Sequence, residues 1–304
     1  MGEQNKLVLA LMIVAAVMFA VTLAVYGVNA LDTPIFERQV GATSDMYPTG
    51  ISPSSWTFSI WSVIFLWQPL WLLYAFINIC RRTGNGPVYA NPVLLTPAFY
   101  FWFILSSVAM IAWVFFFDRL IFIGAFVSLF SIVFTVFAAM FTSYKPLAMY
   151  GGILIKEGRR VDIWLHRILV HNGLGIYFGW TSVATLINMV HVMVYVPEDP
   201  LELETAGTVA LGVLTGGTLL YFVTDIFFFD RYSRYTIMPY LVICWAVSGS
   251  IDNHWNPEKT NSIFSAVILG LAGAIAVVKI IVTLYRHCKY PMYRDYVVES
   301  TIDK

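Results

Sequence analysis

The sequence predicts an all-α protein, a polytopic membrane bundle of about eight transmembrane helices forming one integral membrane domain over residues 1–304. Three observations predict it. Hydrophobic residues make up 59% of the chain and charged residues only 12%, against roughly 25% charged in a typical soluble domain. Eight segments are long and apolar enough to supply the roughly 17–25 residues that a hydrocarbon crossing takes. Lysine and arginine fall unequally on the two sides that alternating loops define.

The eight spans are residues 7–31, 56–80, 93–117, 120–144, 168–196, 205–229, 235–251 and 261–285, of which the seventh is short. Fourteen basic residues, among them Lys6, Arg81, Arg160, Arg231, Arg294 and Lys304, then share one side. Only three, Arg38, Arg119 and Lys259, share the other with the acidic run 198–204. The positive-inside rule predicts both termini on the cytoplasmic side. The membrane itself is not named by the sequence.

Function classes narrow on the same grounds. No loop is long enough for a soluble module, and a net charge of zero points to no nucleic-acid partner. The first apolar run is too long for a cleavable signal and reads as a signal anchor. No nucleophile–base pair, carboxylate pair or metal constellation is visible, so no enzyme is expected. Three cysteines form no disulfide framework: Cys80 and Cys288 fall at span ends and Cys244 reads as a small buried hydrophobe.

In chain order, span one is nearly featureless and packs peripherally. The loop 32–55 is turn-rich, with Pro34, Gly41, Pro48, Gly50 and Pro53. Span two opens on Trp56 and Trp61 and carries Gln68-Pro69 at mid-depth. A buried glutamine needs partners that lipid does not offer, and a mid-span proline frees a carbonyl, so this point faces the bundle interior. Spans three and four form a hairpin turning at Asp118-Arg119, followed by a long basic loop, 145–167, expected near headgroups.

Span five carries the organising stripe. Trp180, Ala184, Asn188 and His191 recur at spacings of four, four and three, which places them on one helical face. His166 and His171, five apart, read as part of a solvated helix start, because five is not an α-helical same-face spacing. His191 is the histidine to keep as an axial or proton-linked ligand. Asp225 on span six and Lys279 on span eight lie at matching depth, and pairing would relieve much of the cost of burying either charge. Phe115-Phe-Phe-Asp-Arg119 recurs as Phe227-Phe-Phe-Asp-Arg231, 112 residues on, which suggests a 3+3 inverted repeat.

The stretch Ile51-Ser-Pro-Ser-Ser-Trp-Thr-Phe-Ser-Ile-Trp-Ser-Val-Ile-Phe65 resembles the second-helix start of long-form TspO/MBR-related proteins, the translocator or tryptophan-rich sensory family. Trp180, Ala184, Thr185 and Asn188 are similar to the last-helix pattern of that family. Compact members have five helices and a proline between their two tryptophans, which this chain lacks. The resemblance implies an aromatic-lined pocket for a hydrophobic ligand such as a tetrapyrrole or sterol, formed by Trp56, Trp61, Gln68, Trp180, Ala184, Asn188 and His191. Two alternatives stay open: an ion- or proton-coupled secondary transporter using Gln68, Pro69, Asp225 and Lys279, and a structural or receptor-like protein whose polar stripe packs helices. Membrane lipid, a hydrophobic small molecule and a second copy of the chain as a homodimer are the partners in view.

Overall fold

A computed structural model describes residues 3–31 and 33–293. Arg294 and Lys304 of the charge tally lie outside them. Helix α1 (Glu3–Ala30) leads into a short α2 (Val40–Met46) and a 3₁₀ turn at Ser55–Ser59, which opens directly into α3 (Ile60–Cys80). A two-strand hairpin, β1 (Arg82–Thr83) with β2 (Gly86–Pro87), precedes α4 (Pro97–Asp118) and α5 (Phe122–Lys156). Then come α6 (Arg160–Leu165), a π-helical stretch His166–Asn172, and α7 (Gly173–Tyr195), which together make one continuous helix. α8 (Leu203–Val223) ends in a second π-helical stretch, Thr224–Phe228, and the short α9 (Asp230–Ser233) joins it to α10 (Met238–His254) and α11 (Thr260–Lys289).

Local chemistry sets the boundaries. Thr96 caps α4 by accepting the Phe99 N–H at 3.3 Å, with Pro97 at the first helical position, where its missing N–H costs nothing. Gly158, at φ +73, ends α5 in the left-handed conformation that glycine adopts without a Cβ clash. Among the described residues, seven helices are long and apolar enough to cross a membrane. The eighth, α10, has 17 residues, about 26 Å at the α-helical rise. It still connects the two ends of the bundle, because Arg234 just before it bonds Tyr290 O while Asp252 near its far end takes the Trp56 N–H.

The basic residues do gather at one end. Asp162 there is held by Arg81 at 2.5 Å and Arg159 at 2.9 Å, and Asp230 by Arg234 at 2.6 Å and Arg286 at 2.7 Å. Burial alone would raise the Asp230 carboxyl, but the hydrogen bonds and charges of Arg234 and Arg286 outweigh it and hold it below its ordinary value. A depressed carboxyl stabilises the fold in full above its unfolded value, about 3.9, and loses that contribution as pH falls through the folded value. Asp230→Asn is therefore expected to lower the thermal midpoint at neutral pH, with the gap to wild type closing below about pH 4. Melting curves across pH in detergent check this.

Two expectations need correction. The basic loop 145–167 is almost entirely helical, because α5 runs on to Lys156 and α6 restarts at Arg160, leaving residues 157–159 as the turn. Charged side chains end a hydrophobic span without ending its helix, since the backbone hydrogen bonds are satisfied either way. The inverted repeat does not extend to packing. α4 and α5 pack along one another as the most extensive pair in the bundle, while α8 and α10, their counterparts under the offset, scarcely meet. Asp118 is buried and accepts the Arg38 backbone N–H at 2.6 Å, whereas Asp230 sits between two arginines. The recurrence is one of composition in a phenylalanine-rich chain.

Candidate functional site

Four of the residues singled out by sequence line the inner face of α7, with different surroundings. Trp180 is 1% exposed and meets Trp61 edge-on at 6.1 Å and Phe58 at 5.6 Å. Trp61 stacks on Trp113 at 6.5 Å, and Tyr26 lies against both at 5.9 and 6.2 Å. The rings fill the space with one another, in the offset and edge-to-face arrangements that the aromatic quadrupole favours. Asn188 accepts the Trp113 N–H at 3.3 Å and donates to Ala184 O at 3.1 Å. The Trp180 N–H is buried with no acceptor.

One turn on, His191 lies parallel to Phe122 at 5.1 Å, and its Nε2 meets Tyr47 O at 2.9 Å. A carbonyl only accepts, so Nε2 carries the proton. Trp56 stands apart from this cluster, 43% exposed, with its N–H on Asp252 at 2.8 Å and its ring against Trp245. The backbone of α7 approaches α10 closely at Gly179, where an added Cβ would stand 3.1 Å from Val242 Cβ and 3.2 Å from Pro239 O.

Gln68 faces the interior, and both ends of its amide are taken. It donates to Gly173 O at 3.2 Å and accepts the Trp71 N–H at 2.7 Å. Its neighbour Trp67 donates to Leu169 O at 3.1 Å. α3 thus bonds carbonyls in and just after the π-helical stretch His166–Asn172. Gln68→Leu would orphan the buried Trp71 N–H at about 1–3 kcal/mol, while Gly173 O keeps its bond within α7. The expected result is a clear drop in thermal midpoint, read by melting in detergent.

The polar heart of the molecule lies nearer the basic end. Lys279 Nζ is 2.7 Å from Asp225 Oδ2, with the two side chains 1% and 2% exposed. Asp225 also accepts hydroxyls from Tyr240, at 2.5 Å, and Ser233. Lys279 has a further acceptor in Ser233 O at 3.3 Å. Asp225 of this pair, matched by depth from the sequence, lines a cavity of about 70 Å³ between α5 and the π-helical end of α8. Phe137, Met140, Phe141 and Phe229 give it a largely apolar lining, with Tyr144, Tyr221, Thr224, Tyr232 and Ser233 beside them, and among the described residues no basic side chain lines it. Phe137 and Phe141 are also on the outer face of the bundle, so the cavity borders the lipid-facing surface.

Comparison with known proteins fits this architecture: the family model described as TSPO-like protein matches residues 10–285. The chain belongs to the TSPO-like family. No curated protein and no solved structure matches it.

In this TSPO-like chain, the sequence reading misplaced one pair of side chains. His166 and His171, expected at a solvated helix start, are buried at 0% and 2% exposure with ring centroids 4.8 Å apart. Among the described residues neither His166 nitrogen makes a well-formed hydrogen bond, and Tyr144 lies edge-on to His171 at 4.4 Å. The helix already begins at Arg160, which carries this segment inside the bundle. The i→i+5 bonding of a π-helix then brings positions five apart onto one face, a register that α-periodicity does not encode.

Proposed function

We propose that this TSPO-like membrane protein binds a neutral hydrophobic molecule with a single hydrogen-bonding head, a sterol-like ligand, in the cavity beside Asp225. The observation that carries the reading is a largely apolar hollow between α5 and the end of α8 with a fully buried carboxylate in its lining. Ligand sites are mostly apolar hollows with a few convergent polar groups. Asp225 accepts from Ser233, Tyr240 and Lys279, and a carboxylate with about four acceptor positions has room for one more donor. A tetrapyrrole fits this cavity less well, because its carboxylates would meet Asp225 without an unpaired cation in the lining. Titration of the purified protein with a fluorescent sterol, read by energy transfer from tryptophan, tests the assignment when run beside Thr224→Phe, which fills the cavity.

A second reading, ion- or proton-coupled transport, is favoured by the Asp225–Lys279 pair itself. Ionisable residues inside a membrane are costly and mark ion or proton pathways, and here the pair adjoins the ligand cavity. Flux measured in liposomes with and without a proton gradient checks it. Gradient-independent movement, or none, leaves the protein as a binder alone.

A further inference from the structure

A second site lies at the basic end, apart from the sterol-like cavity. Arg167 is 6% exposed. Its guanidinium stands over the Tyr235 ring at 3.9 Å and the Trp164 ring at 4.9 Å, and one nitrogen reaches Met292 Sδ at 3.4 Å. Among the described residues no carboxylate lies within ion-pair distance of it. The acids at this end are already engaged: Asp162 by Arg81 and Arg159, Glu157 by Arg159, and Asp230 by Arg234 and Arg286. A buried charge without a counter-charge is costly, and cation–π contact offsets only part of what an opposite charge would.

Arg167 lines two adjoining cavities, the larger of about 190 Å³. Arg231 adds positive charge to the first and Arg160 to the second, and among the described residues no acidic side chain lines either one. The larger cavity has an apolar rim in Ile155, Ile163 and Pro291, beside the partly exposed Trp164. An inorganic anion would use the arginines and leave that rim idle. A phosphate carried on an apolar body would use both.

We propose that the Arg167 cavities hold the phosphate headgroup of an anionic phospholipid, bound specifically at the basic end of the bundle. The guanidinium provides the planar, forked donor set that suits phosphate oxygens. Arg160 and Arg231 widen the positive field, as basic pockets between transmembrane helices do for lipid headgroups. Tyr235 and Trp164 hold the Arg167 plane in position by cation–π contact.

Native mass spectrometry and thermal melting of the full-length protein provide the test, with phosphatidic acid, phosphatidylcholine and inorganic phosphate as separate titrants. The expected result is a retained phosphatidic acid adduct and a saturable rise in thermal midpoint, with neither from phosphatidylcholine. Arg167→Gln should weaken that binding at least about tenfold, roughly 1.4 kcal/mol. Arg231→Gln, at an exposed position, should weaken it by a smaller factor in a chain that still folds, which covers the case in which Arg167→Gln misfolds. Equal stabilisation by inorganic phosphate would overturn the lipid assignment in favour of a free anion. Absence of any adduct, or one that both arginine variants keep, would overturn the site. Binding that emerges only when Asp295, Glu299 and Asp303 are changed to their amides would show that the chain's own acidic C-terminal segment is the counter-charge, and would overturn the proposal too.

Discussion

Asp225→Asn is expected to destabilise the bundle by about 3–5 kcal/mol, the range for breaking one side of a buried ion pair. The amide leaves the Lys279 ammonium at 1% exposure without its counter-charge, with only neutral oxygens such as Ser233 O to accept from it. The reverse change, Lys279→Met, should cost less, because Asp225 keeps the hydroxyl donors of Tyr240 and Ser233. The double variant should recover most of the loss, since removing both charges of a buried pair is often close to neutral. Chemical or thermal unfolding in micelles of the four proteins gives the cycle. Equal losses in both single variants, with no recovery in the double, would mean that the two charges do not act as a pair. The same double variant separates structure from transport. If it folds and binds ligand but no longer moves it under a proton gradient, the charges serve coupling; unchanged flux assigns them to packing.

The second large effect concerns where the hydrophobic ligand sits. Thr224→Phe places a ring in the cavity bordered by Phe137, Tyr221 and Asp225, and Thr224 is only half-buried, so overpacking strain is limited. Sterol binding should weaken by at least about tenfold, roughly 1.4 kcal/mol, with little change in thermal midpoint. Trp180→Phe keeps most of the ring surface in the aromatic cluster and deletes only the unpaired N–H. It should leave sterol affinity within about twofold, roughly 0.4 kcal/mol, and raise stability slightly, since a buried donor without an acceptor is a standing cost. If Trp180→Phe is instead the variant that loses affinity, the ligand belongs among Trp61, Trp113 and Asn188, and the orphaned N–H is its anchor.

Much of the site is legible in the sequence. The spacing of Trp180, Asn188 and His191 puts them on one inward face, because side-chain direction in an α-helix follows from the count of residues alone. Depth along their spans is enough to pair Asp225 with Lys279, because rise per residue is constant. Trp56 shows where that reasoning stops: it precedes α3, in a 3₁₀ turn, and its ring swings out to Asp252 and Trp245. Gln68 does turn inward as its polarity predicts, but its partner, Gly173 O, is 105 residues away, and no local pattern names a partner at that distance.

By itself, the sequence determined the class of protein, the eight apolar segments, the gathering of positive charge at one end and the family, all of which depend on local composition, period or motif. The tertiary structure alone decided the π-helical register that buries His166 beside His171, the failure of the repeat to extend to packing, and the two hollows at Asp225 and Arg167. These depend on which helices lie side by side and on how closely their side chains fill the space between them, a property of pairs distant in the chain rather than of any segment within it.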